Sequence, residues 1–307
     1  MTALAGGVGA ARLLRGLVDV IPAERLTVIV NTADDERFYG VHVSPDLDTV
    51  VYNLAGAAPR RRGWGIAGDG GRVLTALRRY YPETWFRIGD RDFATHLFRS
   101  DQLRAGRRLH EVTASIARAW AVSTRVLPMS NDSVRTVVRT VRGRELPFQR
   151  YFVGRSARDR VAALTYRGLR AARPAPGVLG AIRDADVLLL PPSNPFTSIL
   201  PILGVRGVRG ALTRRRVPFV GVSPVAGGRA VRGPLTGMLR AHGLPVTPLG
   251  IARVYRGLLD ALIIDSEDEP LRPALERMGL RIGVTSIRMT TRARSRAVAE
   301  LALELAS

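Results

Sequence analysis

The amino-acid sequence predicts an α/β fold with a mostly parallel sheet, helices on both faces of the sheet and a smaller inserted subdomain. Two observations lead to this fold class. Short apolar runs rich in β-branched residues, such as Val28-Ile29-Val30, are typical of strands buried on both faces. Such runs are followed by polar or glycine-rich loops and then by helical patterns, which is the order of elements in a doubly wound sheet. At 307 residues, the chain can hold one large domain or a core with an insertion.

The chain opens with a strand, a glycine turn and a helix. Thr2–Ala5 is the predicted strand, Gly6, Gly7 and Gly9 form the turn, and the helical pattern extends to about Val20. This arrangement lets backbone N–H groups and a helix N-terminus bind phosphate. The turn is not a Walker loop, since the terminal Lys-Ser/Thr is missing, and no third glycine has the spacing of the dinucleotide fingerprint. Alone, it fits tight strand–helix packing as well as it fits ligand contact.

Four carboxylates, Asp34, Asp35, Asp46 and Asp48, follow the second strand, where ligands bind in an open α/β sheet. In a chain that is otherwise strongly basic, these acids suit a divalent cation better than a plain surface loop. The alternative is helix capping, because Asp46 precedes the apolar segment that starts at Leu47 and is a plausible N-cap. The sequence leaves both interpretations of Asp46 open.

A glycine-dense loop and three helices are predicted before the middle of the chain. The loop spans Gly63–Gly71, and helices follow near Val73–Tyr80, around Asp92 and over Leu109–Ala121. Asp92 fits a helix N-cap as well as a site residue. His96, one turn later, fits an ordinary half-buried residue as well as a ligand-binding one.

Antiparallel strands interrupt the α/β alternation in the middle of the chain. We predict them at Val134–Val141, Leu146–Val153 and Val161–Tyr166, as an excursion on the main sheet. The predicted bounds are approximately 125–175 for the inserted lid or subdomain, and 1–124 with 176–307 for the Rossmann-like core that binds nucleotide and a second substrate.

After the insertion, the order of strand, loop and helix resumes. Ala185–Leu190 and Val217–Val222 are predicted parallel strands, and each ends in a loop of proline, glycine and small polar residues. Loops of this kind at the carboxyl ends of strands suit a single binding crevice. The last predicted elements are strands over Ala261–Asp265 and Leu280–Val284 and a terminal helix over Ala293–Ala306.

Composition excludes several classes of protein and of site. The absence of cysteine excludes disulfides, thiolate metal sites and a cysteine nucleophile. No apolar run approaches the roughly 18 residues of a transmembrane helix, and glycines replace the apolar region of a signal peptide, so we expect a cytoplasmic protein without membrane contact. The net charge is +21, but the 47 cationic residues, all arginine, are spread along the chain, and only 6% of residues are aromatic. Since nucleic-acid binding needs a concentrated basic face with stacking residues, we expect small phosphorylated substrates and no nucleic acid.

Five segments follow one another along nearly the whole chain: LAGGVGAARLLRGL, NTADDERFYGVHVSPDLDTVVYNLAG, WFRIGDRDFATHL, PPSNPFTSI and SPVAGGRAVRGP. Together they resemble the 2-phospho-L-lactate transferase family, CofD, which is called FbiA in some bacteria. The resemblance implies a Rossmann-like core with an added subdomain, and a role in the biosynthesis of coenzyme F-420. It implies magnesium-dependent transfer of phospholactate, phosphoenolpyruvate or phosphoglycerate from its guanosine-diphosphate conjugate to the ribityl hydroxyl of the deazaflavin Fo, with release of GMP. A homodimer is expected on the same ground.

The resemblance also implies roles for individual residues. Asp34, Asp35 and Asp48 are expected to bind the metal, and Asp35 and Asp48 to act in catalysis, with Asp48 oriented as a base toward the attacking hydroxyl. Such a transfer needs positioning and charge neutralisation, and one or two carboxylates plus substrate phosphates satisfy magnesium. The diphosphate and guanosine are expected at the turns, and the deazaflavin at residues 90–96. The expected substrate-binding residues are Gly6, Gly7, Gly9, Arg12, Asn31, Thr49, Asp90, Arg91, Asp92, His96, Ser193, Asn194, Ser223, Gly227 and Gly228.

A second interpretation is a non-catalytic, nucleotide-sugar-binding regulator, because the YvcK-like proteins are similar in their core. The two interpretations differ in what they expect of the deazaflavin side. Asp48 and the segment Trp85–His96 are expected only in the transferase branch.

Overall fold

The computed structural model describes residues 1–307 and contains fourteen strands. In chain order they are β1 (Thr2–Ala5), β2 (Thr27–Val30), β3 (Glu36–Phe38), β4 (Val41–Val43), β5 (Arg125–Pro128), β6 (Arg135–Thr140), β7 (Glu145–Pro147), β8 (Val161–Arg167), β9 (Leu188–Leu190), β10 (Phe219–Val222), β11 (Val225–Ala226), β12 (Arg229–Ala230), β13 (Ala261–Ile264) and β14 (Arg281–Val284).

Twelve α-helices accompany these strands. They are α1 (Gly7–Leu17), α2 (Pro45–Leu54), α3 (Arg72–Leu77), α4 (Asp90–Arg104), α5 (Leu109–Ala119), α6 (Val178–Arg183), α7 (Leu200–Gly204), α8 (Val208–Thr213), α9 (Leu235–Ala241), α10 (Pro248–Val254), α11 (Arg272–Glu276) and α12 (Arg292–Glu304). None of them combines the length and the apolar character that a membrane crossing requires.

Seven strands form one parallel sheet in the order β14-β13-β10-β9-β1-β2-β5, which confirms the predicted fold class. The central strand β1 pairs with β2 on one side, where Leu4 is opposite Ile29, and with β9 on the other, where Ala3 is opposite Leu189. The chain therefore leaves β1 in one direction and later returns to its other side. The loops after β1 and β9 meet at the carboxyl edge of the sheet, which is where doubly wound folds bind ligands.

The hydrophobic core lies on both faces of this sheet. Successive residues of a strand point to opposite faces, and the strands divide accordingly. Leu4 and Ile29 pack in a cluster with helices α6 to α11, whereas Ala3 and Val28 pack in a second cluster with α1, α2, α5 and α12. The inner strands β1, β9, β10 and β13 are buried along their whole length, so each has a nearly continuous apolar sequence, which is the signal that predicted it.

The inserted region is a three-stranded antiparallel sheet in the order β7-β6-β8. The strand predicted over Leu146–Val153 is wrong for most of its length, because a π-helical turn over Arg150–Gly154 follows the short strand β7. The strand β5, at the approximate lower boundary of the predicted insertion, is the edge strand of the main sheet. Val138 and Tyr151 belong to the same core cluster as Leu4, so the insertion packs on one face of the main sheet.

A close approach between α1 and α12 fixes the first helix against the sheet. Gly16 of α1 faces the backbone of Ser295, and a Cβ atom at Gly16 would lie 2.3 Å from the Ser295 carbonyl oxygen. Since neither backbone can yield locally, a side chain at this position separates the two helices.

We therefore expect Gly16→Ala to lower the free energy of unfolding by about 1–3 kcal/mol, the range for overpacked cores. Gly237→Ala in α9 is the matched control, because nothing lies within 4 Å of a Cβ at that position. Alanine has the higher helix propensity, so the control should be neutral or stabilising by up to about 1 kcal/mol. Urea denaturation of both variants measures this difference, and equal stabilities would contradict the close packing of α1 on α12.

Candidate functional site

A cavity of about 600 Å³ opens at the carboxyl edge of the sheet, beside the loops that follow β1 and β9. Eleven of the residues predicted from the sequence contribute to its lining, and seven do not. The eleven are Gly6, Gly7, Gly9, Arg12, Asp34, Asp48, Thr49, Asp92, His96, Ser193 and Asn194.

The glycine turn joins the two loops at the bottom of the cavity. The Gly6 N–H donates to Ser193 Oγ at 3.1 Å, and a Cβ at Gly9 would lie 2.5 Å from the Pro192 carbonyl oxygen. Gly7 instead has φ +73° and no atom within 4 Å of a Cβ position, and it lines the cavity. The sequence left open whether the turn serves tight packing or ligand contact. Its glycines divide these roles, because Gly9 is needed for packing and Gly7 is open to a ligand.

Asp46 links this turn to the second strand. Its Oδ1 accepts from the Gly7 N–H at 2.8 Å, and its Oδ2 accepts from Asn31 Nδ2 at 2.9 Å. The N-cap of its own helix α2 is Ser44, so the capping interpretation of Asp46 is wrong. The carboxylate lies instead at the N-terminus of α1, where the helix dipole stabilises negative charge. Asn31, which does not line the cavity, positions Asp46.

Asp34 is a second buried carboxylate near Asp46. Only 6% of the surface of this residue is exposed, and its Oδ1 has no hydrogen-bond partner in the protein. Burial raises the pKa of Asp34 well above its usual range, and the neighbouring charge of Asp46 raises it further. Burial likewise raises the pKa of Asp46, from 3.8 to about 6. Two such groups attract either protons or a cation.

The other two acids of the predicted metal set are bound by the protein itself. Asp35 lies outside the cavity, where its Oδ2 accepts from Ser44 Oγ at 2.6 Å and faces His42 Nε2 at 3.1 Å. Asp48 lines the cavity but forms an ion pair with Arg99. No group of three or more His, Asp or Glu side chains is arranged to hold a metal. The structure therefore does not bring Asp34, Asp35 and Asp48 together as one ligand set.

A buried polar network surrounds Asp48. Both of its oxygens accept from Arg99, which is 1% exposed, with 3.1 Å between Arg99 Nη1 and Asp48 Oδ2. His96 lies between two carboxylates, with Nδ1 3.6 Å from Asp48 Oδ2 and Nε2 3.3 Å from Asp92 Oδ1. Tyr52 donates to Asp92 Oδ1 at 2.9 Å. Burial alone would raise the pKa of Asp92, but the contact with His96, the hydrogen bond from Tyr52 and the nearby charge of Arg99 outweigh it and hold that pKa below its usual range.

Sequence reasoning missed Arg99 and Tyr52. Asp92, His96 and Arg99 are spaced by four and three residues, and this spacing places them on one face of α4. The spacing was visible in the sequence and predicts a shared face for the three side chains. Tyr52 carries no comparable signal, because its contact with Asp92 depends on how α2 packs.

Asp90 and Arg91, predicted on the deazaflavin side, do not line the cavity. The Asp90 carboxylate accepts from the N–H groups of Arg72 and Val73, at 3.2 and 2.8 Å, and so caps α3. Arg91 lies on the outside of the protein and donates to the Ala67 carbonyl. The helix N-cap of α4 is Gly89, so Asp90, and not Asp92, is the first helical residue.

The predicted residues Ser223, Gly227 and Gly228 also lie outside the cavity lining. Ser223 Oγ accepts from the Val225 N–H at 3.1 Å and donates to the Val225 carbonyl, so its hydroxyl stabilises the chain's own loop. Gly227 and Gly228 form the turn between β11 and β12, and the Gly227 N–H donates to Asp268 Oδ2 at 3.1 Å.

Aromatic side chains form the walls of the cavity away from the glycine turn. Trp85 and Phe86 line it, and Phe38 supports them from behind, stacked on Phe86 with ring centroids 3.7 Å apart. Phe148 and Phe152 of the insertion line it as well, stacked with centroids 5.5 Å apart. The cavity therefore has a polar end suited to phosphate groups and an aromatic part suited to a planar ring.

The sequence matches the family model described as 2-phospho-L-lactate transferase CofD over residues 1–281. A protein named phosphoenolpyruvate transferase, from Kitasatospora aureofaciens, is 43% identical over 100% of this chain and 97% of its own length. A protein named 2-phospho-L-lactate transferase, from Methanosarcina acetivorans, is 39% identical over 99% of this chain and 98% of its own. Among solved structures, a UPF0052-family protein from Bacillus halodurans has a TM-score of 0.66, covers 98% of this chain and 97% of its own, and is 18% identical, a similarity of fold alone.

The carboxylate pair predicts how stability depends on pH. An acid whose pKa is raised by folding holds more protons in the folded protein than in the unfolded chain, so the free energy of unfolding falls as pH rises from about 4 through the folded pKa. Asp34→Asn removes one of the two buried carboxylates, and with it the repulsion between Asp34 and Asp46. We therefore expect it to stabilise the metal-free protein at pH 7, on the order of 2 kcal/mol, and to have little effect near pH 4.

Asp19→Asn is the control of opposite sign. A hydrogen bond from Arg292 lowers the pKa of Asp19, so its contribution to stability is present above pH 4 and is lost as pH falls. We expect Asp19→Asn to destabilise at pH 7. Denaturant unfolding at several pH values measures both differences, and a gap between Asp34→Asn and the unsubstituted protein that does not grow with pH would contradict the buried pair.

Proposed function

The chain belongs to the 2-phospho-L-lactate transferase family CofD, and on that premise we propose that it transfers a phospho-acid to the ribityl hydroxyl of the deazaflavin Fo. The donor is the guanosine-diphosphate conjugate of the acid, GMP is released, and the product belongs to coenzyme F-420 biosynthesis. One observation supports this proposal above the others. A single cavity combines the glycine turn and a buried carboxylate pair with aromatic walls, as a reaction between a diphosphate and a planar ring system requires.

We place the diphosphate at the glycine turn and the deazaflavin against the aromatic walls. Gly7, Ser193 and Asn194 line the polar end. The Gly7 N–H is taken by Asp46, so the N–H groups offered to phosphate oxygens are the next ones of the first turn of α1, at Val8 and Gly9. Trp85 and Phe86 offer apolar faces to the ring. Thr49, Asp92 and His96 also line the cavity and offer polar contacts to the ribityl chain.

We propose that magnesium binds at Asp34 and Asp46, in place of the set expected from the sequence. The unpartnered, buried Oδ1 of Asp34 and the raised pKa values of both acids fit a divalent cation. Magnesium keeps several waters and needs only one or two carboxylates besides substrate phosphates, so two acids suffice. When bound, the ion would neutralise charge on the phosphate oxygens.

The remaining chemistry belongs to the chain's own side chains. The ribityl hydroxyl oxygen forms a bond to the phosphorus that carries the acid, while the bond from that phosphorus to the GMP oxygen breaks. We propose that Asp48 accepts the hydroxyl proton, because it lines the cavity and Arg99 holds both of its oxygens in place. Asp35, which faces His42 and Ser44 outside the cavity, has no part in this proposal.

The features expected of a transferase favour this proposal over a regulator that only binds a nucleotide sugar. Asp48 lines the cavity, and so do Trp85 and His96 at the two ends of the segment expected on the deazaflavin side. A protein that only binds needs no carboxylate held beside the acceptor. A homodimer is retained as part of the proposal, on the family resemblance.

The direct test is an assay with purified protein, Fo, magnesium and each of the three guanosine-diphosphate phospho-acids. We expect GMP to appear together with the phosphorylated deazaflavin, and competition among the three donors to identify the acid that is used. Leaving out Fo controls for simple hydrolysis. No GMP with any donor, from protein shown to be folded, would defeat the enzyme proposal.

Asp48→Asn tests the proposed base. We expect kcat to fall by about 10²–10⁴-fold, the range for loss of general base catalysis. The same change leaves Arg99 buried without its counter-ion, which costs roughly 3–5 kcal/mol of stability.

A double variant separates these two effects. Asp48→Asn with Arg99→Met removes both buried charges, so we expect stability to recover relative to Asp48→Asn alone while turnover stays lost. Thermal unfolding and GMP release are measured on the same preparations. Turnover that recovers together with stability would show that Asp48 only supports the fold.

A further inference from the structure

Two arginines that the proposed reaction has not used, Arg12 and Arg232, lie on one wall of the cavity. Arg12 is on α1 and Arg232 follows β12, but both reach the same loop. Arg12 Nη2 donates to the carbonyls of Arg60 and Arg61, at 3.1 Å each, and Arg232 Nη1 donates to the carbonyl of Arg62 at 2.9 Å. Three consecutive carbonyls thus hold the two guanidinium groups in place.

The two guanidinium groups converge on one point. A Cβ built at Gly63 would lie 3.5 Å from Arg232 Nη1 and 3.6 Å from Arg12 Nε. Neither arginine is within ion-pair distance of a carboxylate, although other arginines of the cavity region, such as Arg99, have one. Partial burial lowers the pKa of both groups, and the charge of Arg232 lowers that of Arg12 further. Two like charges held together without a counter-ion are unfavourable until an anion binds.

The pair retains the donors that an anion needs. A guanidinium group has five N–H donors in a planar fork, and the loop carbonyls occupy one terminal nitrogen of each arginine. The free donors match the two oxygens of a carboxylate or phosphate group. Arg232 is exposed toward the cavity, so a ligand can reach it without displacing protein.

Position along α1 relates the pair to the proposed phosphate site. Arg12 follows Gly7 by five residues, a rise of about 7.5 Å, and helical side chains lean toward the helix N-terminus. Its guanidinium group therefore reaches back toward the glycine turn. The carboxylate carbon of phospholactate or phosphoenolpyruvate is only three bonds from the transferred phosphorus, so a donor whose phosphate lies at the glycine turn keeps its carboxylate near the helix that carries Arg12.

We propose that Arg12 and Arg232 form a subsite for the carboxylate of the phospho-acid donor, an inference that rests on the proposed function. The diphosphate has its own partners, namely the glycine turn and the cation at Asp34 and Asp46. The acid's carboxylate is the remaining anionic group of the donor. Three arginines line the cavity, Arg12, Arg87 and Arg232, and one loop holds Arg12 and Arg232 together. The pair would thus distinguish a donor that bears the acid from GDP itself.

Calorimetric titration tests the subsite with magnesium present and two probes, GDP and a guanosine-diphosphate phospho-acid. For Arg232→Gln we expect at least a tenfold loss of affinity for the donor and less than a twofold change for GDP. Arg12→Lys keeps the charge but loses the fork, so it should also weaken the donor selectively, and it remains informative if the glutamine variant unfolds. Arg61→Gln is the matched control, because it removes the same charge from the same loop outside the cavity, and both affinities should stay unchanged.

The outcomes separate this inference from the proposed function. Equal losses for GDP and donor would mean that the arginines bind the diphosphate, which overturns the carboxylate assignment. Unchanged affinities in Arg232→Gln and Arg12→Lys, with normal GMP release by the unsubstituted protein, would overturn the subsite alone. An unsubstituted protein that binds GDP but neither prefers nor turns over any donor would overturn the proposed function together with the subsite.

Discussion

Two like charges buried side by side, on Asp34 and Asp46, are the constraint around which the site is arranged. Burying a carboxylate is unfavourable unless hydrogen bonds or a cation compensate for the lost water. The protein supplies the hydrogen bonds to Asp46 through Gly7 and Asn31, and these contacts tie the starts of α1 and α2 to the end of β2. No such partner reaches Asp34 Oδ1. The fold thus holds a negative site open at the point where its loops converge.

Asp48 has the opposite environment, although only Leu47 separates it from Asp46. Its charge is neutralised inside the protein by Arg99, and the network continues through His96 to Asp92. A carboxylate that is already paired is a poor ligand for a second cation but is held in a fixed orientation. Asp46 and Asp48 therefore share the first turn of α2 but differ in chemistry, because one lies beside the unpartnered Asp34 and the other is paired with Arg99.

The sequence was sufficient for the parallel sheet and insufficient for the details that depend on packing. Strands buried on both faces need continuous apolar runs, so β1 and β9 were recognisable. Leu146–Val153 has the composition of a strand, but its buried aromatic residues Phe148 and Tyr151 are three apart, as on a helical turn, and most of the segment is not a strand. The same limit applies to the prediction of the site. Four acids could be found from their position after β2, but which of them remain unpaired depends on partners such as Arg99, far along the chain.

The arginine content takes its meaning from position and not from the net charge of +21. Exposed pairs such as Arg296 with Glu300 contribute little, because water and salt screen them. Arg99 is buried and neutralised by Asp48, so it orients that carboxylate and does not attract an anionic ligand. Arg12 and Arg232 combine proximity, access to the cavity and the lack of an acidic partner. A charge acts on a ligand when the protein leaves it uncompensated at a place the ligand can reach, and by that criterion the local environment of each arginine is more informative than the total.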